Sequence, residues 1–177
     1  VINFERVNQE WHIRNEFTTI KATKLLLCNN AFAHKFFPEF DLKPARAQVL
    51  ITKPIENLKI QGCFHMDEGY YYFRNVGNRV LFGGGRNLDF EKEETFEVST
   101  SSIIQNQLKH LLETKILPDQ KFEIDRTWAG IMGVGSNKST LLKQLDTNLF
   151  CAVRMGGMGV ALGTNVGQEI ALLASNN

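Results

Sequence analysis

Four glycines fall within nine residues in Met155-Gly156-Gly157-Met158-Gly159-Val160-Ala161-Leu162-Gly163, and none of the nine is charged. Backbone with so few side chains lets a flat ligand approach closely. Val166, Ile170 and Leu173 then recur at i, i+4 and i+7, which predicts a helix. A glycine turn that opens a helix presents unpaired N–H groups and the positive end of the helix dipole. That setting suits an anion, or an oxygen that gains negative charge during a reaction. Two plainer readings compete. Gly159, Gly163 and Gly167 are four apart, the close-packing pattern of membrane helix pairs. Thr164, Asn165, Gln168 and Glu169 interrupt it, however, and the chain has no run of about 18 apolar residues. Alternatively the glycines only let the helix pack tightly on a sheet. On this segment alone, packing and ligand binding both stand.

Other reactive residues are scattered. His12, His34, His65 and His110 lack metal-ligand spacing and read as solvated surface histidines, so no metal site is expected. No Ser/His/Asp or Cys/His constellation can be assembled, and no catalytic residue is assigned. Cys28, Cys63 and Cys151 are odd in number and form no Cys-x-x-Cys; two lie in apolar runs and read as small buried hydrophobes of a reducing, cytoplasmic compartment. Candidates for substrate contact are Tyr70, Tyr71, Tyr72, Arg74 and Trp128, set against the plainer role of these aromatics in sheet packing. In a strand over 70–72, Tyr70 and Tyr72 share one face and Tyr71 takes the other. Arg74 and Arg126 offer an anion grip, or are ordinary surface arginines.

The whole chain bounds what can hold these residues. Its 177 residues allow one good core or parts of two smaller domains, with 43% hydrophobic and 22% charged residues and no low-complexity tract. A net charge of +1 with dispersed basic residues argues against a nucleic-acid partner. The start, Val1-Ile2-Asn3-Phe4-Glu5, has no signal-peptide pattern and opens inside strand-like sequence. It suggests a chain whose N-terminal part is absent.

Trp11 to Arg14 and Thr19 to Lys24 read as short edge strands of a meander. Leu25-Leu26-Leu27-Cys28 reads as a parallel strand buried on both faces, ended by a turn at Asn29-Asn30. After Pro44 come short β-type runs: Ala47 to Thr52, Leu58 to Phe64, Tyr70 to Arg74 and Arg79 to Gly83, with Asn75 to Asn78 as a hairpin turn. Ser102-x-x-Gln105 fits a capping box for a helix with apolar face Ile104, Leu108, Leu111 and Leu112, ended at Leu117-Pro118-Asp119. Phe122, Ile124, Arg126 and Trp128 alternate as one strand face, and Leu149 to Arg154 is a last strand leading into the glycine turn. The expected architecture is two lobes sharing a cleft, of mixed α+β class.

In order and spacing the segments resemble the FAD-dependent oxidoreductases of the D-amino-acid oxidase and glycine oxidase type. The resembling pieces are residues 25–33, Pro44-Ala45-Arg46-Ala47-Gln48-Val49-Leu50, Arg79-Val80-Leu81-Phe82-Gly83-Gly84, Thr127-Trp128-Ala129-Gly130-Ile131-Met132 and Gly156-Gly157-Met158-Gly159. None is specific alone; the five in order span nearly the whole chain. The resemblance implies the C-terminal half of such an enzyme. Its substrate lobe, a mixed or antiparallel β-sheet with a helix at 44–148, would be flanked by pieces of a Rossmann-like FAD lobe at 1–43 and 149–177. It places Cys28, Asn29 and Asn30 at a strand end beside the flavin, and Arg46 near the isoalloxazine. Gly156, Gly157, Met158, Gly159, Val160, Ala161 and Leu162 then approach the flavin's pyrimidine edge.

Three departures qualify the resemblance. The Gly-x-Gly-x-x-Gly fingerprint that seats the FAD pyrophosphate is absent, and neither Gly83-Gly84-Gly85 nor Gly133-Val134-Gly135 replaces it. Where amino-acid-oxidising members carry an arginine for the substrate carboxylate, this chain has Met132. In Ala45-Arg46-Ala47-Gln48 an alanine stands where many members have glycine. The expected function is oxidation of a C–N or C–O bond of a small metabolite by hydride transfer to FAD in the parent protein, this chain alone being inactive. The alternative is a non-catalytic ligand-binding or interaction module that has lost the cofactor. No membrane partner is expected, and oligomeric state is not encoded in any motif.

Overall fold

The computed structural model describes residues 1–176 and divides into two compact units, one of residues 1–43 with 132 onward, the other Pro44–Ile131. The resemblance put the second boundary after residue 148. Strand pairing carries 141–146 into the first unit instead, because those residues run alongside the last strand.

The first unit begins with an antiparallel meander of β1 (Asn3–Val7), β2 (Glu10–Arg14) and β3 (Thr19–Ala22), in the order β1-β2-β3. β2 is thus central rather than an edge strand, and it carries the buried Trp11. β4 (Leu25–Leu27) is followed by a 3-10 turn over Asn30–Lys35. We label the remaining first-unit elements β10 (Leu141–Asp146), β11 (Leu149–Val153) and α3 (Gly159–Ser175). Their sheet has the order β10-β11-β4, with β4 parallel to β11.

The strand covered on both faces is β11, not β4. Phe150 and Ala152 pack against Val166, Ile170 and Ala174 of α3. Leu149, Cys151 and Val153 pack on the opposite side with Trp11, Leu27 and Leu42. All five β11 residues are buried, whereas Leu26 of β4 is 37% exposed. An apolar run demands cover on both faces only where both faces meet another layer. Cys28, just past β4, is exposed, as is Cys63; of the three thiols only Cys151 is buried.

The second unit is a five-stranded sheet, order β6-β7-β8-β5-β9, with a helix on one face. Its strands are β5 (Lys43–Thr52), β6 (Cys63–Met66), β7 (Tyr71–Val76), β8 (Arg79–Gly84) and β9 (Ile124–Val134). Its α-helices are the single turn α1 (Phe90–Glu93) and α2 (Ser102–Leu111), the latter continuing into a π-turn over Leu112–Ile116. Leu50, Val80 and Phe82 of the sheet meet Ile104, Leu108 and Leu112, the apolar face expected of that helix.

Local differences have local causes. The run expected from Leu58 pairs only from Cys63 on, because β6 registers with Tyr71 to Arg74 and ends there. The strand expected from Phe122 starts at Ile124. The capping box does not form: the N-cap is Ser101, which makes no side-chain cap bond, and Ser102 is already helical. Gln48 of β5 replaces it. Its Nε2 donates to Ser101 Oγ at 3.0 Å and its Oε1 accepts from Ser101 N at 2.9 Å. The hairpin between β7 and β8 turns tightly on Gly77 and Asn78, with Gly77 at φ +60°. No described helix is long and apolar enough to cross a membrane.

Candidate functional site

The glycine turn is built by three segments distant in sequence. Asn30, in the left-handed region at φ +48°, turns its Oδ1 to accept from Arg154 N at 3.2 Å and Met155 N at 3.5 Å. Gly156 N donates to Gly133 O at 3.0 Å. A Cβ on Gly133 would lie 2.6 Å from Asn30 Oδ1, so this close approach requires glycine. The chain then swings through Gly156 (φ +53°) and Gly157 (φ +84°) and enters α3 at Gly159, ahead of Val166, where the apolar spacing begins.

The helix start is chemically open. Met158 O accepts from Ala161 N and Leu162 N, and Met158 N donates to Met155 O. The N–H groups of Gly157, Gly159 and Val160 meet no acceptor among the described residues. Gly156, Gly157, Met158, Val160 and Ala161 are exposed, Gly159 and Leu162 half-buried. A patch of apolar side chains with free backbone donors fits the edge of a planar ring bearing carbonyl oxygens. Met132 joins this patch: a Cβ on Gly157 would lie 3.0 Å from its Sδ. The sulfur brings no charge to bind a carboxylate.

Cys28 and Asn29 lie at the end of β4, exposed, beside an apolar groove of about 140 Å³ that Phe4, Ile13 and Leu26 also line. Desolvation pushes the Cys28 thiol above its ordinary value. Cys151, deeper on β11, is pushed up to about 12 by burial, with the neighbouring Cys28 adding to it.

Arg46 belongs to the second unit. It sits on the helix-covered side of β5, buried, with Nη2 2.6 Å from Glu93 Oε1 and Nε 2.9 Å from Oε2. Its Nη1 donates to Ser99 Oγ at 2.8 Å. Gln48 Nε2 reaches both Glu93 oxygens at 3.0 Å. The Glu93 carboxylate raises the Arg46 pKa further, and the pair braces the sheet against the segment that leads into α2. Nothing in the spacing of the sequence pairs positions 46 and 93; only the fold does.

The substrate candidates separate in the second unit. Tyr70 precedes β7 and packs edge-on against Phe90, with ring centroids 6.1 Å apart, so it does not share a strand face with Tyr72. Tyr71 is buried in the core. Tyr72 and Arg74 project from the other face of β7, into a groove of about 210 Å³ with Cys63, His65 and Leu81. Arg74 is exposed and has no ion-pair partner among the described residues. Trp128 on β9 is 40% exposed, with the Arg126 guanidinium 5.4 Å over its ring. Among the described residues no group of His, Cys, Asp and Glu could hold a metal ion.

A model of the family described as FAD dependent oxidoreductase matches residues 1–173. The chain belongs to this family. Glycine oxidase from Geobacillus kaustophilus has a similar structure, TM-score 0.82 at 16% identity, over 100% of this chain and 48% of that one. L-proline dehydrogenase from P. horikoshii gives 0.78 at 19%, covering 98% and 48%. Fructosyl amine: oxygen oxidoreductase (Amadoriase I) from Aspergillus fumigatus gives 0.72 at 12%, covering 100% and 45%. The chain therefore spans about half the length of these structures and shares their mixed α+β architecture. No curated protein matches it by sequence.

Proposed function

We propose that this FAD-dependent oxidoreductase chain belongs to a protein that oxidises a C–N or C–O bond of a small metabolite by hydride transfer to FAD. The supporting observation is the trio of free N–H groups on Gly157, Gly159 and Val160, at a turn held open by two left-handed glycines. Flavin, when bound, takes up the hydride and carries the resulting negative charge at its pyrimidine edge. The chain's part is to meet that charge. The residues from Gly156 to Leu162 would hold this edge, and the backbone at Cys28 and Asn29 would flank the ring. Asn30 fixes the turn through its Oδ1.

In this reading the first unit serves the cofactor and the second the substrate, through Tyr72, Arg74 and Trp128. Glycine, proline and fructosyl amine in the names of the similar structures favour a C–N bond. Met132 favours a substrate whose carboxylate, if present, is met elsewhere, with Arg74 the available cation. The Gly-x-Gly-x-x-Gly fingerprint is not in these residues, so the 177-residue chain alone is expected to be inactive. The setting is proposed as cytoplasmic.

Anaerobic absorbance spectra of the full-length protein test the reading. Twin flavin bands that bleach with amines or hydroxy acids support it and identify the bond. A colourless protein that takes up no added FAD would favour a binding module instead, for which Met132 already speaks.

A further inference from the structure

The exposed turn at 156–158 has no side-chain tether of its own, so its orientation is inherited from the residues just before it. Arg154 is unusual there. It is a non-glycine residue at φ +66°, a conformation that persists only when the surroundings enforce it. The enforcing contacts are explicit. Its Nε donates to Ser139 O at 2.8 Å, and its Nη1 to Asp41 O at 2.9 Å and Asp41 Oδ2 at 2.7 Å. Asp41 is itself held by Ser136, whose N donates to Oδ1 at 2.9 Å and whose Oγ donates to Oδ2 at 2.7 Å. Gly135 leaves the corridor for this side chain: a Cβ there would lie 2.6 Å from both Arg154 Cδ and Asp41 O.

These contacts exceed what anchoring a surface loop requires. The guanidinium is buried, while the backbone it belongs to lies two residues before the turn. On the other side Gly133 O takes the Gly156 N–H. The two peptides between these points, 154–155 and 155–156, are held at both ends, and the chain enters Gly157 from that fixed start. A planar, forked guanidinium bonding two carbonyls and a carboxylate is a grip that an ammonium cannot reproduce.

We propose that Arg154 and Asp41 are positioning residues that aim the free N–H groups of Gly157, Gly159 and Val160, and so set how strongly this turn prefers an anionic ligand edge over a neutral one. The inference rests on the flavin reading and extends it. Aligned donors bind the negatively charged reduced cofactor better than the oxidised one, and misaligned donors lose that difference.

The test uses the full-length protein and the variants Arg154→Lys, Arg154→Gly and Asp41→Asn. Arg154→Gly removes the clamp while relieving the left-handed backbone, so it is the variant best placed to fold. The expected result is a loss of about tenfold in the ratio of affinities for reduced and oxidised FAD. That is a fall of about 30 mV in a two-electron midpoint potential. Circular dichroism stays native, and amide hydrogen exchange across 155–160 speeds up about tenfold. An unchanged potential in folded Arg154→Lys and Arg154→Gly overturns the proposal and leaves the flavin reading intact. A wild-type protein that binds no FAD overturns the flavin reading; unchanged amide exchange in Arg154→Gly then overturns the clamp as well.

Discussion

Tyr72 lies opposite Gly83 across the β7–β8 ladder, and its hydroxyl is 2.8 Å from where a Cβ at residue 83 would sit. Val49 of β5, paired with Gly83 on the other side, leaves even less room, its Cγ1 being 2.5 Å from that point. The glycine is therefore the seat of a tyrosine ring laid across the open face of the sheet. Such a ring covers backbone that a side chain otherwise covers.

Gly83→Ala is expected to displace the Tyr72 ring and to cost about 1–3 kcal/mol from overpacking. Adding Tyr72→Ala should recover part of that loss, because one of the two clashing neighbours is gone. Urea denaturation of the two single variants and the double variant gives the coupling directly. Strictly additive effects would mean that the ring does not rest on residue 83.

Thiol chemistry separates the three cysteines. Cys151 is pushed up to about 12 and is buried, so it stays protonated and shielded in the native state. At pH 8, iodoacetamide should modify Cys63 and Cys28 and reach Cys151 only on unfolding, as read by mass spectrometry of peptides. The pH consequence has a definite sign. The folded state holds the Cys151 proton more tightly than the unfolded chain, so its contribution is full below the ordinary thiol value of 9.0 and declines as pH rises from there toward about 12. Cys151→Ala should flatten that alkaline decline.

The buried pair Arg46–Glu93 should be costly to break on one side only. Glu93→Ala leaves a guanidinium in a site where both partners are nearly inaccessible, a situation worth roughly 3–5 kcal/mol. The double variant Arg46→Met/Glu93→Leu should be less destabilised than Glu93→Ala, since no unpaired charge remains. Guanidinium denaturation decides it; a double variant worse than the single would contradict the account.

That pair also marks the limit of what the sequence discloses. The periodic segments were legible: the apolar face Ile104, Leu108 and Leu112, the last strand at Leu149, the helix after the glycine turn, and the α+β class. Each depends on neighbours a few residues away in sequence. Leu25 to Leu27 misled because an apolar run states that cover is needed, not which strand receives it; β11 received it on both faces. Ser102-x-x-Gln105 misled because Gln48, more than fifty residues earlier, accepts from the N-cap N–H of Ser101, the bond that the Gln of a capping box makes locally. The site was legible as a glycine turn. Of its supports, the resemblance put Asn30 beside the site, but Gly133, Asp41 and Ser139 were not legible, since no spacing rule ties them to Gly156 and Arg154.

Gly163 and Gly167 distinguish packing from ligand binding as the reason for small residues in α3. A Cβ at either position meets nothing within 4 Å, and both lie inside a helix that runs from Gly159 to Ser175. In this chain, then, the glycines do not serve close packing on β11, whose contacts come from Val166, Ile170 and Ala174. With no steric cost, alanine should stabilise by about 0.5–1 kcal/mol at each site through helix propensity and the stiffer unfolded chain. Thermal unfolding of Gly163→Ala and Gly167→Ala in the 177-residue chain should show that gain. In the full-length protein the same substitutions report on whatever covers this face: a gain there leaves it open, and a loss of more than about 1 kcal/mol identifies a close backbone approach at Gly163 and Gly167.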